Sequence, residues 1–288
     1  MLELLLQGTA NGLVTGAVFA VIAVGLTLVF GVMRIVNFAH GEFLMIAMYI
    51  TYLMATFGKL NPYLAILVSV PLLFLLGAGM FGLLIRPLLA APEISQLLMT
   101  MGVSILLQNL ALLIFKGDPL SVIVPWSSAS VRLGPVSVAV TRLVAAAASL
   151  VVVFGIYWLL KTTDLGRMLR AAAQNRDAAQ LMGINVTRMY MLALAIGVAC
   201  LGVVGPVLVP WAYVSPDVGA VFTLTAFVTV VLGGMGSVSG AFFGGLILGV
   251  VSSVGQMFMP GTYGLIPQYL VFILLLLFRP EGLFSGRI

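Results

Sequence analysis

Nine long apolar runs, separated by short polar stretches, constrain the fold of this 288-residue chain more than any other feature. An α-helix needs roughly 20 apolar residues to cross the hydrocarbon core of a bilayer, which is about 30 Å thick. The runs therefore predict an all-α, polytopic membrane protein with about eight or nine transmembrane helices, some broken or re-entrant, in a single domain over residues 1–288. The runs are Ala10–Val32, Phe38–Phe57, Tyr63–Ile85, Leu97–Phe115, Leu143–Leu160, Met189–Val209, Val218–Leu232, Gly240–Met259 and Leu265–Phe278.

The composition supports lipid as the solvent for most of the surface. Charged residues make up 7% of the chain and apolar residues 62%, whereas soluble domains carry about 25% charged residues. The net charge of +5 does not indicate nucleic-acid binding, because the Lys and Arg residues lie at the ends of the apolar runs, where they orient membrane helices. Cys200 is the only cysteine, so it cannot form an internal disulfide. We expect neither a metal site nor a cofactor.

The distribution of positive charge predicts the orientation. If every run crosses the membrane and the stretch 161–188 is cytoplasmic, nine Lys and Arg residues lie inside and four outside, a strong bias for short loops. This places the N-terminus outside and the C-terminus in the cytoplasm. The inner set is Arg34, Arg86, Lys161, Arg167, Arg170, Arg176, Arg188, Arg279 and Arg287, and the outer set is Lys59, Lys116, Arg132 and Arg142.

The predicted external loop, residues 116–141, differs in composition from the spans around it. The β-branched runs Ser121–Pro125 and Val131–Val138 are accompanied by Ser and Gly-Pro residues that favour turns. This pattern predicts a small hairpin-like loop. The loop could dock an external partner, or it could simply join two helices.

The predicted cytoplasmic loop, residues 161–188, holds seven of the twenty-one charges of the chain. Thr163 or Asp164 can cap a first short helix. Asp177 can cap a second one, with Gly183 as its natural end. Leu165, Met168, Leu169 and Ala172 then share one face of the first helix. Two such amphipathic helices can lie on the bilayer or bind another protein, and a solvated loop is the simpler alternative.

Polar residues interrupt the second apolar run at its start. Asn37, His40, Gly41 and Glu42 lie where a span is expected, although a charged group at the bilayer centre costs about 2.5–3.5 kcal/mol on insertion scales. On a helix, His40 and Glu42 point in different directions, so they do not make a metal site, which also needs more ligands. We expect His40 and Asn37 to satisfy loose backbone groups in a broken or re-entrant helix.

Glycines interrupt the chain again in its second half. Gly233, Gly234, Gly236 and Ser237 open a stretch in which glycine recurs up to position 245. In a membrane this pattern permits close helix packing, or unwound backbone that lines a cavity. No Lys-Ser/Thr pair follows, so the stretch is not a phosphate-binding loop. Because the two interruptions occupy corresponding places in the two halves, they predict an internal repeat and a translocation path at the bilayer midplane.

Four segments resemble the branched-chain amino-acid ABC importer permeases of the LivH type. Segment 25–43 resembles the signature of that family, and segment 163–184 resembles its coupling loop. The glycine run 233–245 and the terminal segment 278–284 are also similar, and the four occur in the same order as in the family. The resemblance extends from about residue 8 to the C-terminus.

The resemblance implies a multi-pass permease subunit of the bacterial inner membrane that is not itself an enzyme. Such a subunit pairs with a second, homologous permease and two cytoplasmic ABC ATPase subunits, and a periplasmic solute-binding protein delivers the solute. ATP is then hydrolysed elsewhere, which agrees with the missing Walker A pattern. The implied contacts to an ATPase are Arg170, Gln174, Asn175, Arg176, Asp177 and Gly183.

The solute is less constrained than the family. An apolar path with few fixed charges suits Leu, Ile or Val, but permeases of this type can also carry urea, amides or aromatic acids. A proton-coupled secondary transporter that uses His40 and Glu42 is the alternative from another class. A membrane-embedded enzyme lacks support, because no nucleophile–base pair or metal-ligand cluster is evident.

Overall fold

The structure, a computed structural model, describes residues 1–259 and 261–284, so Arg287 of the charge count lies outside the described residues. Within these residues the chain forms eleven α-helices and one two-stranded sheet. The helices are α1 Leu2–Met33, α2 His40–Thr56, α3 Ile66–Met80, α4 Glu93–Phe115, α5 Val140–Thr162, α6 Asp164–Gln174, α7 Arg176–Leu181, α8 Val186–Leu208, α9 Val218–Gly233, α10 Val238–Phe258 and α11 Ile266–Phe278. Short 3₁₀ turns cover Pro62–Ala65, Arg86–Leu88 and Gly261–Leu265, and a π turn covers Phe81–Ile85.

Each of the nine predicted apolar runs coincides with one helix, or with a helix and the turns that flank it. Six helices in the described part of the chain are long and apolar enough to cross a membrane: α1, α4, α5, α8, α10 and the continuous stretch Pro62–Leu88 that contains α3. The apolar helices Val218–Gly233 and Tyr263–Phe278 are shorter. The prediction of an all-α, polytopic membrane protein is therefore confirmed.

Helix α1 forms the centre of the bundle and crosses α10 in an antiparallel direction at small residues. A Cβ atom added to Gly12 would lie 2.5 Å from the Cα of Val250, and one added to Gly16 would lie 2.7 Å from the carbonyl oxygen of Gly245. Small residues at four-residue spacing allow helix backbones to approach this closely. By contrast, α4 lies at the periphery, where Leu113 is 81% exposed.

The predicted hairpin forms in the second half of the loop 116–141. Strands β1 Ser130–Leu133 and β2 Val136–Ala139 pair antiparallel, and Gly134 takes a φ of 62° at the turn between them. The run Ser121–Pro125 is not a strand, so that part of the prediction was wrong. Instead the preceding residue, Leu120, exchanges two backbone hydrogen bonds of 2.9 and 2.8 Å with Val214, in the connection between α8 and α9.

The hairpin lies at the end of the bundle where α1 begins. The side-chain amide of Gln7 donates to the Ser137 carbonyl at 2.6 Å and accepts from the Ser137 N–H at 2.8 Å. Two bonds from one side chain to one backbone residue fix the position of β2. The hairpin is therefore attached to the start of α1.

Candidate functional site

The chain breaks between α1 and α2, as the polar residues predicted. Helix α1 ends at Met33, and Arg34 adopts a left-handed φ of 57° while its N–H bonds to the Phe30 carbonyl at 2.8 Å. The side chain of Asn37 then accepts a 3.1 Å hydrogen bond from the backbone N–H of Ala39. Asn37 precedes the helix and thus satisfies a backbone group at the start of α2, as predicted.

His40 fastens the start of α2 to the middle of α1. Its ring is buried, and Nε2 lies 3.1 Å from the carbonyl oxygen of Ile22. Gly25 leaves the space for this contact, since a Cβ there would lie 3.2 Å from His40 Cε1 and 2.5 Å from the carbonyl oxygen of Gly197 in α8. Among the described residues, no group of three or more His, Cys, Asp or Glu side chains could hold a metal ion.

Glu42 points away from α1, towards α4 and α9. Its carboxylate is buried, and Oε1 accepts a 3.0 Å hydrogen bond from the Ser104 hydroxyl. A Cβ atom added to Gly219 would collide with this carboxylate. Glu42 lies in the first turn of α2, and Gly219 lies in the first turn of α9. The carboxyl group therefore lies beside the N-terminal turn of α9, where partial positive charge favours an acidic side chain.

The first turns of α2 and α9 meet directly. The Gly41 N–H donates to the Thr223 hydroxyl at 2.9 Å, and that hydroxyl lies 3.4 Å from the Phe38 carbonyl oxygen. A side chain at position 41 would collide with the Gly219 carbonyl and with Thr223. Next to this contact, the rings of Phe38 and Phe227 stack with centroids 5.2 Å apart. Glycine at 41 and 219 is therefore a requirement of this helix contact.

The residues that form hydrogen bonds to the break between α1 and α2 were not predicted from the sequence. Ser104 and Thr223 bind it as described above, and the Thr100 hydroxyl accepts from the Phe38 N–H at 3.3 Å and lies 3.2 Å from the Val36 carbonyl oxygen. The signal that could have found them is the presence of hydroxyl groups inside the runs Leu97–Phe115 and Val218–Leu232, since polar groups in a span normally face a partner.

The glycine run forms the turn between α9 and α10. Gly234 and Gly236 take φ values of 101° and 90°, which disfavour any side chain, and Ser237 caps α10 by accepting from the Gly240 N–H at 3.0 Å. Gly233 touches the backbone of Gly240. The close approach predicted for this run is thus present at the turn.

The C-terminal segment 278–284 folds back onto the same turn. The N–H of Leu283 bonds to the Leu232 carbonyl at 2.9 Å, and the N–H of Phe284 bonds to the Gly233 carbonyl at 3.3 Å. The last carbonyls of a helix lack partners within it, and this segment supplies them for α9. The glycine run 233–245 and the terminal segment 278–284, two of the four segments that resemble the family, therefore form one structural unit.

The two predicted interruptions do not meet. The break at 37–42 contacts the start of α9, whereas the glycine turn 233–237 follows its end. Helix α9 has 16 residues and is about 24 Å long at 1.5 Å per residue, so its two ends lie at different levels of the bundle. The first break contacts the N-terminus of α9 at Gly219, and the internal repeat and the shared translocation path stay predictions.

The stretch 161–188 forms the two predicted short helices, α6 and α7. Thr163 caps α6 by accepting from the Gly166 N–H at 3.1 Å. The cap of α7 is Asn175, which accepts from the Ala178 N–H at 3.0 Å, and not Asp177 as predicted. Asn175 has the extended backbone of a cap, with φ −151° and ψ 107°, whereas Asp177 already lies inside the helix. Gly183, at φ 82°, follows the end of α7 as expected.

Helices α6 and α7 separate a buried face from an exposed one. Leu169 and Ala172 of α6 are buried in the core, as predicted, whereas Leu165 and Met168 are half-buried. Gln174, Asn175, Arg176, Asp177 and Gly183 are exposed, and Arg170 is half-buried. Beside them, Leu181 and Met182 leave 88% and 82% of their surfaces exposed. The predicted contact residues therefore lie mostly on one accessible surface that also contains apolar groups.

A pocket of about 400 Å³ joins this surface to the glycine turn. Gln174 lines it together with Arg34 from the end of α1 and Gly236 from the turn. The remaining lining residues are Phe30, Gly31, Ala173 and Met235. The structure thus brings Gln174 and Gly236 to one pocket, while His40 and Glu42 form a separate site around the start of α2.

Comparison with known proteins assigns the chain to a family. Residues 8–278 match the family described as branched-chain amino acid transport system, permease component. The chain is 33% identical to the high-affinity branched-chain amino acid transport system permease protein BraD of Pseudomonas aeruginosa, over 96% of this chain and 95% of that protein. It is 28% identical to the corresponding protein LivH of Salmonella typhimurium, over 96% of this chain and 94% of that protein.

A more distant relative comes from an archaeon. The chain is 27% identical to the probable branched-chain amino acid transport permease protein LivH of Methanocaldococcus jannaschii, over 98% of this chain and 95% of that protein. No solved structure matches the chain. Since the family match covers nearly the whole bundle, from α1 to α11, the chain belongs to the family of permease components of branched-chain amino acid transport systems.

Proposed function

We propose that this chain is the transmembrane permease subunit of an ATP-driven ABC importer, and that it forms the translocation path with a second, homologous permease. The observation that carries this proposal is the surface of α6 and α7 that stays exposed among the described residues. Leu181 and Met182 are the most exposed apolar residues of this surface. Exposed apolar groups next to charged ones are typical of a protein contact.

The packing of α6 links the proposed ATPase contact to the membrane-spanning helices. Leu169 and Ala172 bury the inner face of α6 in the main core. At its end, Gln174 reaches the pocket that Arg34 and Gly236 also line. A displacement of α6 by ATP-driven closure of an ATPase would therefore act on the end of α1 and on the turn before α10. Hydrolysis belongs to two separate cytoplasmic ATPase subunits, so the permease itself is not an enzyme.

The positions of the two loops along α1 support the proposed orientation in the bacterial inner membrane. Gln7 near the start of α1 binds the hairpin, and Arg34 at its end shares a pocket with Gln174. The 32 residues of α1 span about 48 Å, so these features lie on opposite sides of a bilayer. The loop 161–188 and the C-terminus would be cytoplasmic. The N-terminus and the loop 116–141 would be external, where a periplasmic binding protein delivers the solute.

The solute that we propose is a branched-chain amino acid: Leu, Ile or Val. The names of BraD and LivH, which match the chain over nearly its whole length, support this choice over urea, amides or aromatic acids. The broken helix at Asn37, His40, Gly41 and Glu42 is the proposed element of the path, because helix N-termini meet there within the bundle. The turn at Gly233, Gly234, Gly236 and Ser237 would move with the coupling surface.

Assembly with an ATPase tests the proposal. We expect the ATPases encoded beside this permease to copurify with it, and Leu181→Asp combined with Met182→Asp to abolish copurification. Ile123→Asp is the matched control, because Ile123 is 85% exposed and belongs to the hairpin loop. Loss of copurification in the control as well as the double variant would mean general misfolding. Retention in the double variant would place the ATPase contact elsewhere and count against this surface.

A further inference from the structure

A second pocket lies at the hairpin end of the bundle and takes no part in the sites described above. Its volume is about 240 Å³, which is below the usual 300–1,000 Å³ of drug-sized ligand sites and suits a small solute. Arg142 from the first turn of α5 and Trp211, just after α8, contribute to its wall. Gln268 from the first turn of α11 also lines it.

Arg142 gives the pocket a positively charged group that has no acidic partner among the described residues. The guanidinium carbon of Arg142 lies 5.0 Å from the centre of the Trp211 ring, a cation–π contact. Within residues 1–259 and 261–284, the ion pair found joins Arg167 to Asp164, so no described carboxylate lies within 4.0 Å of Arg142. A guanidinium presents its N–H groups in a fork that matches a carboxylate. Arg142 therefore offers its donors to a ligand.

Buried polar groups complete the site. Gln268 is 1% exposed, and its side-chain Nε2 has no hydrogen-bond partner among the described residues. Buried amides are normally bonded, and this residue lines the pocket. The buried hydroxyls of Ser252 and Thr225 line the same space. Thr225 donates to the Val221 carbonyl at 2.9 Å, which leaves its oxygen lone pairs able to accept.

Aromatic rings provide an apolar surface beside these polar groups. Phe19 and Phe222 both line the pocket, and their rings meet edge to face with centroids 6.4 Å apart. The site thus combines an anion-binding fork, hydrogen-bond acceptors and an aromatic wall within one small volume. Those are the three groups that a neutral, apolar α-amino acid needs.

We propose that this pocket binds a neutral α-amino acid on the external side of the path, before the solute passes inward. Arg142 binds the carboxylate, while the hydroxyls of Thr225 and Ser252 accept from the ammonium group. The apolar side chain of the solute packs on Phe19 and Phe222. This assignment rests on the proposed function for its substrate class, but it concerns direct binding to the permease, which can be measured without ATP or partner subunits.

Trp211 provides a local probe for the test. The chain has three tryptophans, so Trp126→Phe combined with Trp158→Phe leaves Trp211 as the single one. The full chain is placed in phosphatidylcholine nanodiscs and titrated with L-leucine or with L-leucinamide, which lacks the carboxylate. We expect a saturable change in Trp211 emission with leucine, and an apparent affinity at least tenfold weaker with leucinamide.

Two variants in this background complete the design. Arg142→Gln should weaken leucine binding at least tenfold, whereas Arg132→Gln, an exposed arginine of the hairpin, should leave it unchanged. Equal responses to leucine and leucinamide, or an unchanged affinity in Arg142→Gln, would overturn the assignment. So would a response to phosphatidylglycerol in the nanodisc without one to leucine, since Arg142 would then hold a lipid headgroup. None of these outcomes bears on ATP-driven import by the assembled complex, which is measured separately.

Discussion

The carboxylate of Glu42 lies against the Cα atom of Gly219, at the point where the first turns of α2 and α9 face each other. This contact joins residues 177 positions apart and explains two features of the sequence together. The buried carboxyl group accepts a hydrogen bond from the Ser104 hydroxyl and lies beside the N-terminal turn of α9, whose partial positive charge favours an acidic side chain. A glycine is required at 219 because any larger residue would displace that acid.

Gly219→Ala should destabilise the protein. Alanine is a better helix former than glycine by up to about 1 kcal/mol, but here its methyl group collides with the Glu42 carboxylate, and such overpacking costs about 1–3 kcal/mol. The matched control is Gly102→Ala in α4, where an added Cβ has nothing within 4 Å. Thermal unfolding in detergent measures both variants. A melting temperature of Gly219→Ala at or above that of Gly102→Ala would disprove the contact.

Gly234→Leu should impair transport or assembly of the importer. Its Cβ would lie 2.8 Å from the Phe284 carbonyl oxygen, so the C-terminal segment would be pushed off the end of α9. Gly134→Leu controls for backbone strain, because Gly134 also has a positive φ but has open space around it. Membrane insertion of both variants is checked by fractionation, and transport by leucine uptake. Comparable uptake by the two variants would show that close approach at Gly234 is not needed.

Asn175→Ala should loosen α7, whereas Asp177→Ala should not. Loss of an N-terminal cap costs about 1 kcal/mol, which corresponds to roughly fivefold faster exchange of the α7 amides if they exchange through local opening. Hydrogen–deuterium exchange of residues 176–181 in the detergent-solubilised protein measures this directly. If Asp177→Ala produced the faster exchange, the cap predicted from the sequence would be the correct one.

The elements that could be predicted from sequence are those that depend on neighbouring residues. Apolar run length located the nine apolar helical segments, and the Gly134-Pro135 turn located the hairpin. Alternation of apolar and charged residues located α6 and α7. The cap of α7 was missed because Asn175 and Asp177 are both good capping residues, and the choice between them depends on where the backbone becomes helical.

Contacts between distant segments could not be predicted in the same way. Thr223 binds Gly41 from 182 residues away, and Ser104 binds Glu42 from 62 residues away. Which helix meets which depends on the packing of the bundle around α1, for which local patterns carry no information. The contact of the break at 37–42 with the start of α9 was missed for this reason. The pocket around Arg142 was missed too, because its lining residues come from six separate segments.

Leucine uptake into proteoliposomes tests the central claim most directly. The vesicles contain this permease with its partner permease and ATPases, and the binding protein and radiolabelled leucine are outside. We predict uptake at least tenfold above background with ATP inside the vesicles, and no uptake by this chain alone under a pH gradient. Uptake by the chain alone that follows the pH gradient and is lost in Glu42→Gln would contradict the account and establish a proton-coupled transporter instead.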